Sequence, residues 1–317
     1  MSLAKKSCVC YVVDDNYLFP TLVSAAQVRQ HSERNKADVI IICLAEPSEK
    51  TKIASEVAGS LGILLWVKSL SEIDNMHPMY GRLFLNRLLP KEYERTVYID
   101  GDTQVVGSLT PLIDAPVPDG KFLAVRDPAS LFARISSEWK RATCSDRKAA
   151  GLSGNLDDYF NTGLLVFDLS SWEILSAKTK EAISAKEGGY KFGDQDPMNV
   201  AIGRQCLFLS NTWNFPGFLI NTQAENRTRP IVYHFMSNPR PWTHSGMPWG
   251  RKWSKPYRDF LNRFPQLQTL APRASVGEIL KYRLQQQIKW RTEYSRVGNL
   301  MEASPDVKVN QGHRTQI

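Results

Sequence analysis

Two carboxylates held one residue apart, Asp100 and Asp102, interrupt the run Thr96-Val-Tyr-Ile-Asp100-Gly-Asp102-Thr-Gln-Val-Val106. Thr96, Val97, Tyr98 and Ile99 are β-branched or aromatic, which suits a strand buried on both faces. Ionised groups at the end of such a strand are costly unless something neutralises them. A hard divalent cation does so, and Mg²⁺ or Mn²⁺ commonly takes one or two carboxylates together with substrate phosphates. In an open α/β sheet ligands sit outside the carboxyl ends of the strands, so both acids are expected to face the binding crevice. Gly101 between them is expected to let the backbone turn and a ligand come close. A second Asp-x-Asp, Asp194-Gln195-Asp196, is present; position after a buried strand, more than spacing, singles out the first.

Other residues could join this chemistry. His234, in the short apolar run Ile231-Val-Tyr-His234-Phe, reads either as an imidazole ligand to the same metal or as a satisfied core histidine. Arg240 stands between Pro239 and Pro241, and a guanidinium pinned on stiff backbone suits a phosphate clamp. Asn161-Thr162-Gly163 leads into an apolar strand, which places a neutral amide where it bonds a substrate hydroxyl or simply forms a turn. Gly193 to Pro197 opens a helix, with Asp194 or Asp196 as its cap. Capping accounts for one acid and leaves Gln195 unexplained.

The elements that must position these residues follow from periodicity. Val9 to Val13, Asp38 to Leu44, Gly62 to Val67 and Lys121 to Val125 read as strands, the first delivering Asp14-Asp15-Asn16-Tyr17 and the last Arg126-Asp127. Helices are expected after Pro20, over Pro47 to Ser60, over Pro78 to Leu89, where Arg82 reads as a solvated residue, and over Trp172 to Lys186 at the surface. Alternating strands and helices predict a mostly parallel, Rossmann-like sheet. No Gly-x-Gly-x-x-Gly follows the first strand and no Walker loop occurs, so a nucleotide is not held by a glycine loop. Between Pro128 and Asp158 the pattern weakens into a polar stretch read as a lid.

The 317 residues suffice for one large α/β domain or two small ones. A formal charge of +8 favours anionic partners, including nucleotide phosphates, acidic glycans and anionic lipid, but no nucleic-acid signature accompanies it and nucleic acid is not an expected partner. The five cysteines form no paired framework, Cys8 and Cys10 point to one side of a strand, and neither a secretory signal nor a membrane-spanning stretch is evident. A cytoplasmic chain with reduced thiols is expected. After about Phe264 the character changes: Ile279 to Arg296 is helical with Ile279, Leu280, Leu284, Ile288 and Trp290 among basic residues, either core-packed or lying on anionic lipid at the inner face of a membrane. The residues from Ala303 are polar and expected to be disordered.

Taken in order from Val9 to Phe260, Asp14-Asp15-Asn16-Tyr17, Tyr98-Ile-Asp100-Gly-Asp102, Phe160-Asn-Thr-Gly163, Asp194-Gln195-Asp196 and His234-Phe-Met-Ser-Asn-Pro-Arg240-Pro-Trp242 resemble retaining glycosyltransferase family 8, which includes bacterial lipopolysaccharide galactosyltransferases and the glycogenins. The resemblance implies an α/β fold of the GT-A type, a Rossmann-like nucleotide-diphospho-sugar transferase, over residues 1–264, with a basic helical extension over 265–317. It implies a UDP-sugar donor, UDP-galactose or UDP-glucose, a glycan or glycolipid acceptor such as lipopolysaccharide, and Mn²⁺, with Mg²⁺ as the alternative, on Asp100, Asp102 and His234. Asp14 and Asn16 would meet the uracil and ribose, Arg82 and Arg240 the rest of the nucleotide, and Asp127, Asn161, Asp194 and Gln195 the sugar, with Gln195 and Asp194 catalytic. Ser237 and Arg240 stand where the family usually has Gly and Lys, which bears on diphosphate binding. A non-catalytic UDP-sugar or glycan binding module and a sugar nucleotidyltransferase are the competing readings.

Overall fold

The computed structural model describes residues 6–32, 36–246 and 249–301. The apolar runs form β1 (Lys6–Val13), β2 (Asp38–Leu44), β3 (Leu64–Lys68), β4 (Tyr93–Ile99), β5 (Thr103–Val105), β6 (Phe122–Arg126), β7 (Phe160–Asp168), β8 (Cys206–Leu209), β9 (Phe215–Pro216) and β10 (Val232–His234). Seven of them make one sheet in the order β3-β2-β1-β4-β7-β6-β8. Only β7 runs against its neighbours; the remaining pairings in that sheet are parallel. Alternate residues of β1 serve opposite faces, as the two-residue period of a strand requires: Cys8, Cys10 and Val12 enter one buried cluster, Val9, Tyr11 and Val13 the other.

The helices that cover the sheet and extend beyond it are α1 (Leu18–His31), α2 (Glu49–Ser60), α3 (Leu85–Leu88), α4 (Thr110–Ile113), α5 (Ala129–Ile135), α6 (Ser137–Ala150), α7 (Leu169–Ala185), α8 (Gln195–Ile202), α9 (Gln223–Thr228), α10 (Arg251–Arg263), α11 (Val276–Lys289) and α12 (Ser295–Leu300). The turn Pro265–Thr269, just past the expected boundary at 264, buries Leu267 in the same cluster as Leu18, Leu22 and Phe260. The expected disordered tail lies outside the described residues.

The feature that positions the site is the passage between two sheets. Asp100, Gly101 and Asp102 are the whole connection from β4 to β5, and β5 belongs to a second sheet of order β5-β10-β9. Strand β10 runs antiparallel to β5 with His234 opposite Thr103, and the Phe235 N–H donates to the Asp102 carbonyl at 2.9 Å. Strand register thus delivers an imidazole beside a carboxylate 132 residues earlier in the chain.

Three expectations are corrected. The stretch 128–158 is not an irregular lid but chiefly two helices, α5 and α6. Ser136 caps α6 by accepting from the Trp139 N–H, Gly151 closes it at φ 95°, and Phe132, Thr143, Arg147 and Ala150 are buried. Neither Asp194 nor Asp196 caps α8 with its side chain. Helix α7 is the surface helix expected there, packing one side through Leu169, Trp172 and Leu175, with Trp172 stacked on Phe167. Gly101 is small for a packing reason: a Cβ there would collide with the Thr21 hydroxyl of α1.

The burial of the cysteines fixes their reactivity. Cys8, Cys10 and Cys43 are buried and Cys144 is exposed; burial pushes the Cys8 and Cys43 thiols up to about 12, away from the reactive thiolate. Under native conditions at neutral pH a maleimide should label Cys144 first, while Cys8, Cys10 and Cys43 react only after unfolding. Mass mapping of labelled peptides checks this, and early labelling of β1 would contradict the packing.

Candidate active site

Side chains from widely separated stretches converge where β4, β5, β7 and β10 meet α8. Asp100, Asp102 and His234 each offer a ligand atom, all within 4.8 Å of one another. His234 Nε2 lies 3.0 Å from Asp102 Oδ1 and 3.7 Å from Asp100 Oδ2. Strand β10 brings His234 to the two carboxylates, where the ring is buried in a polar cluster rather than in an apolar core. Gly163 makes room for it, since a Cβ at that position would overlap the imidazole ring.

The acids are compensated by a cage of cations. Arg82, expected as a solvated residue, is 7% exposed; its Nη2 pairs with Asp100 Oδ1 at 2.9 Å, its Nη1 donates to the Thr162 carbonyl at 2.6 Å, and its Nε lies 3.0 Å from Asp194 Oδ2 without hydrogen-bond alignment. Burial works against the Arg82 charge, and Asp100 and Asp194 more than offset it, so its proton is held more tightly than usual. Tyr98 adds a hydroxyl donated to Asp100 Oδ1 at 2.7 Å. Arg240 Nη1 meets Asp102 Oδ2 at 2.7 Å and its Nη2 reaches the Tyr17 hydroxyl at 3.5 Å. Burial tends to raise the Asp102 carboxyl, but His234 and Arg240 hold it well below the usual range. Asp194 moves the other way: its burial outweighs the pull of Arg82.

A chain of amides joins this cluster to a second one. Asn214 Oδ1 faces His234 Nδ1 at 3.0 Å, and Asn214 Nδ2 donates to Asn161 Oδ1 at 2.8 Å, which fixes the amide so that its oxygen accepts from the ring. The ring then carries a proton on Nδ1 and directs Nε2 at the two carboxylates, the arrangement that orients a histidine ligand. Asn161 Nδ2 donates to Gln195 Oε1 at 2.9 Å, the Thr162 N–H adds a bond to the same oxygen at 3.3 Å, and Gln195 Nε2 donates to Asp127 Oδ2 at 3.0 Å. Gln195, the residue capping could not explain, is therefore held at three points. Arg147 closes the back of this cluster, 3.9 Å from Asp127 and 3.5 Å from Asp196, with its guanidinium 3.0 Å from the centre of the Tyr159 ring. Asp196 is spent on Tyr159, the Phe192 N–H and Arg147.

Asp14 sits apart at the end of β1, where its carboxylate accepts from the Asn16 and Tyr17 N–H groups, and Asn16 is exposed. Tyr17 links this turn to Arg240. Beside Asp127 and Gln195 opens a cleft of about 410 Å³, walled by Phe132, Trp139, Phe192 and Tyr294 among others. Aromatic faces with a few polar groups suit the alternating apolar and hydroxylated faces of a sugar ring. The residues that sequence reasoning missed are Asn214, Arg147, Tyr98 and the part of Tyr294 in the cleft; Asn214 stands between the buried aromatics Trp213 and Phe215 and carries no local signal.

Comparison with known proteins accords with this geometry. The model of glycosyl transferase family 8 matches residues 8–246. The chain is 25% identical over 255 residues to the lipopolysaccharide 1,2-glucosyltransferase of Escherichia coli K12, covering 74% of this chain and 72% of that one. It is 24% identical to the lipopolysaccharide 1,3-galactosyltransferase of Salmonella typhimurium, covering 78% and 75%, and 23% identical to a probable galacturonosyltransferase-like protein of Arabidopsis thaliana, covering 77% and 73%. Among solved structures, the galactosyltransferase LgtC with donor and acceptor sugar analogues superposes with a TM-score of 0.62 at 18% identity, over 79% of this chain and 95% of that one. The bifunctional WbbM glycosyltransferase gives 0.63 at 21%, over 83% of this chain and about half of its own, 50%. These structures share the GT-A fold.

Two outcomes test the metal site. Asn214→Leu frees the imidazole to rotate and should weaken divalent-metal binding about 10–100-fold, read by calorimetric titration; Gly163→Ala should do the same by displacing the ring, and unchanged affinity in both would dismiss His234 as a ligand. Burial lowers the affinity of His234 for its proton, but Asp102 and Asp100 outweigh it, so the imidazole titrates above its usual range. A metal must displace that proton, so affinity should fall as pH drops through this raised value. In the metal-free chain the sign reverses: the stability that the charged pair contributes is complete below the ordinary histidine range and is lost as pH rises through the raised value. Thermal melts with and without Mn²⁺ across this range read both signs.

Proposed function

The chain belongs to glycosyl transferase family 8, and as a hexosyltransferase of that family we propose that it moves glucose or galactose from a UDP-sugar to a glycan acceptor, with retention at the anomeric carbon and with Mn²⁺ bound at Asp100, Asp102 and His234. The observation that carries the reading is the meeting of that three-ligand cluster with the Asp127–Asn161–Gln195 cluster beside an aromatic cleft. Two carboxylate oxygens and one imidazole nitrogen suit Mn²⁺ better than the all-oxygen preference of Mg²⁺. When bound, such an ion supplies charge to offset the donor diphosphate.

The chain's own residues do the rest. Arg240 exchanges Asp102 for a phosphate oxygen as the diphosphate arrives, and its charge stabilises the departing UDP. The Ser237 hydroxyl is buried without a partner, which costs about 1–3 kcal/mol if left so; it is available to the diphosphate where the family's usual Gly has only backbone. Asp14 and Asn16 read the uracil and ribose at the end of β1. Arg82 serves the donor from behind Asp100 and Asp194, and Asp127 and Asn161 bond the sugar hydroxyls.

Gln195 is a poor nucleophile: its amide oxygen is neutral and already accepts from two donors. The reaction therefore goes by front-face attack. The acceptor hydroxyl oxygen bonds the anomeric carbon on the side from which the phosphate oxygen leaves, and the acceptor proton passes to that leaving phosphate. Asp194, whose Oδ2 lacks an aligned hydrogen bond, and the Gln195 carbonyl oxygen stabilise the positive charge that builds on the sugar. The acceptor is proposed to be a lipid-linked surface glycan such as a growing lipopolysaccharide, in keeping with the names of the bacterial relatives. Those names divide between glucosyl- and galactosyltransferases, so the donor is kept to the two hexoses.

UDP release measured over a panel of UDP-sugars, with Mn²⁺, Mg²⁺ or chelator and no acceptor, should show slow hydrolysis of one hexose donor that chelator abolishes. Neither release nor binding of any UDP-sugar would sink the reading. Asp102→Ala should lose at least about 1,000-fold in turnover along with its metal dependence, and near-normal turnover would remove the metal assignment.

A further inference from the structure

Helix α11 has one packed face and one bare face. On the packed side Gln286 is buried and donates through Nε2 to the Asn238 carbonyl at 2.6 Å. On the other side Val276, Leu280, Leu284 and Ile288 are 74%, 60%, 62% and 55% exposed. Spaced four apart, they form one continuous aliphatic ridge. Ile279 and Trp290, which the sequence pattern grouped with them, are only partly exposed and lie off the ridge. Lys281, Arg283 and Arg291 are exposed; at about 100° per residue, Lys281 and Arg283 flank the ridge on its two sides and Arg291 continues its line.

We propose that this face docks on an anionic lipid bilayer, with α11 lying in the plane of the headgroups. The alternative occupant is a second copy of the chain, and two features argue against it. A spacing of four at every step drifts about 40° around the helix each time, whereas the seam of a coiled coil needs steps of three and four in alternation. Pairing two copies along the ridge would also bring two sets of Lys281, Arg283 and Arg291 into one seam. A bilayer demands no register, takes up the aliphatic side chains, and offers anionic headgroups to the flanking cations and to a chain of formal charge +8. No helix among the described residues is long and apolar enough to cross a membrane, so the contact is peripheral. The same helical run continues into Lys289, Glu293 and Tyr294, which wall the cleft beside Gln195. Docking therefore seats that cleft at the lipid surface; its use for a lipid-linked acceptor rests on the proposed function, while docking itself does not.

The test is sedimentation of the full chain with phosphatidylcholine vesicles and with phosphatidylcholine–phosphatidylglycerol vesicles. Binding to the mixed vesicles alone, weakened by salt, is expected. The double substitution Leu280→Asp/Leu284→Asp should reduce it at least about tenfold, with circular dichroism and UDP release from the donor unchanged because neither residue touches the site. Lys281→Glu/Arg283→Glu should cut binding as well. Absence of wild-type binding to mixed vesicles, or equal binding by the Asp variant, overturns the proposal; so does a dimer in light scattering that the Asp substitutions dissolve. Vesicle binding without UDP release from any donor upholds the docking surface and counts against the transferase reading alone.

Discussion

The structure depends on the cost of leaving two carboxylates at the end of a buried strand. Asp100 and Asp102 have only restricted access to bulk water to spread their charge, and removing one partner from a buried pair leaves an ion uncompensated. Arg82, and His234 with Arg240, answer that cost from two separate parts of the chain. The compensation is divided by kind. Arg82 is enclosed by Asp100, Asp194 and the Thr162 carbonyl and has nowhere to go, whereas Arg240 is paired with one acid, Asp102, and otherwise meets a tyrosine hydroxyl and the Trp242 ring. One cation is structural furniture and the other can change partners.

A continuous line of hydrogen bonds runs from Asp102 through His234, Asn214, Asn161 and Gln195 to Asp127. Each amide along it has its two ends committed in opposite senses, so none can flip without breaking two bonds. The Asp100–Asp102–His234 cluster and the Asp127–Asn161–Gln195 cluster are consequently one preorganised object. That suits a reaction in which charge develops on both sides of a single bond, because donors and acceptors need not reorganise at the moment of transfer.

Much of this was legible in the chain because it was local. β2 was read to its observed ends, and β1 and β6 to within a few residues, because a buried strand writes its period into neighbouring side chains. Asp100 and Asp102 stand out because charge after an apolar run is a local anomaly, and Gln195 because helix capping does not absorb it. Asn214 was not readable: its role exists only once β9 and β10 bring it between Asn161 and His234. Arg82 was misjudged for the same reason, since its two acids are 18 and 112 residues further on. Helix α6 was overlooked although Ser136 and Gly151 mark its ends, because its exposed face is almost wholly polar and the buried positions include Thr143 and Arg147 rather than aliphatics.

The bond from Gln286 to the Asn238 carbonyl joins α11 to the proline-rich loop that carries Arg240, and the turn after α11 contributes Tyr294 to the cleft wall. The family pattern ends at residue 246. The wall of the cleft is therefore built in part from chain to which that pattern does not extend, while the charge cage is built from chain that it covers. Changes in the terminal helices can remodel the cleft and leave that cage intact, so the two can vary independently of one another.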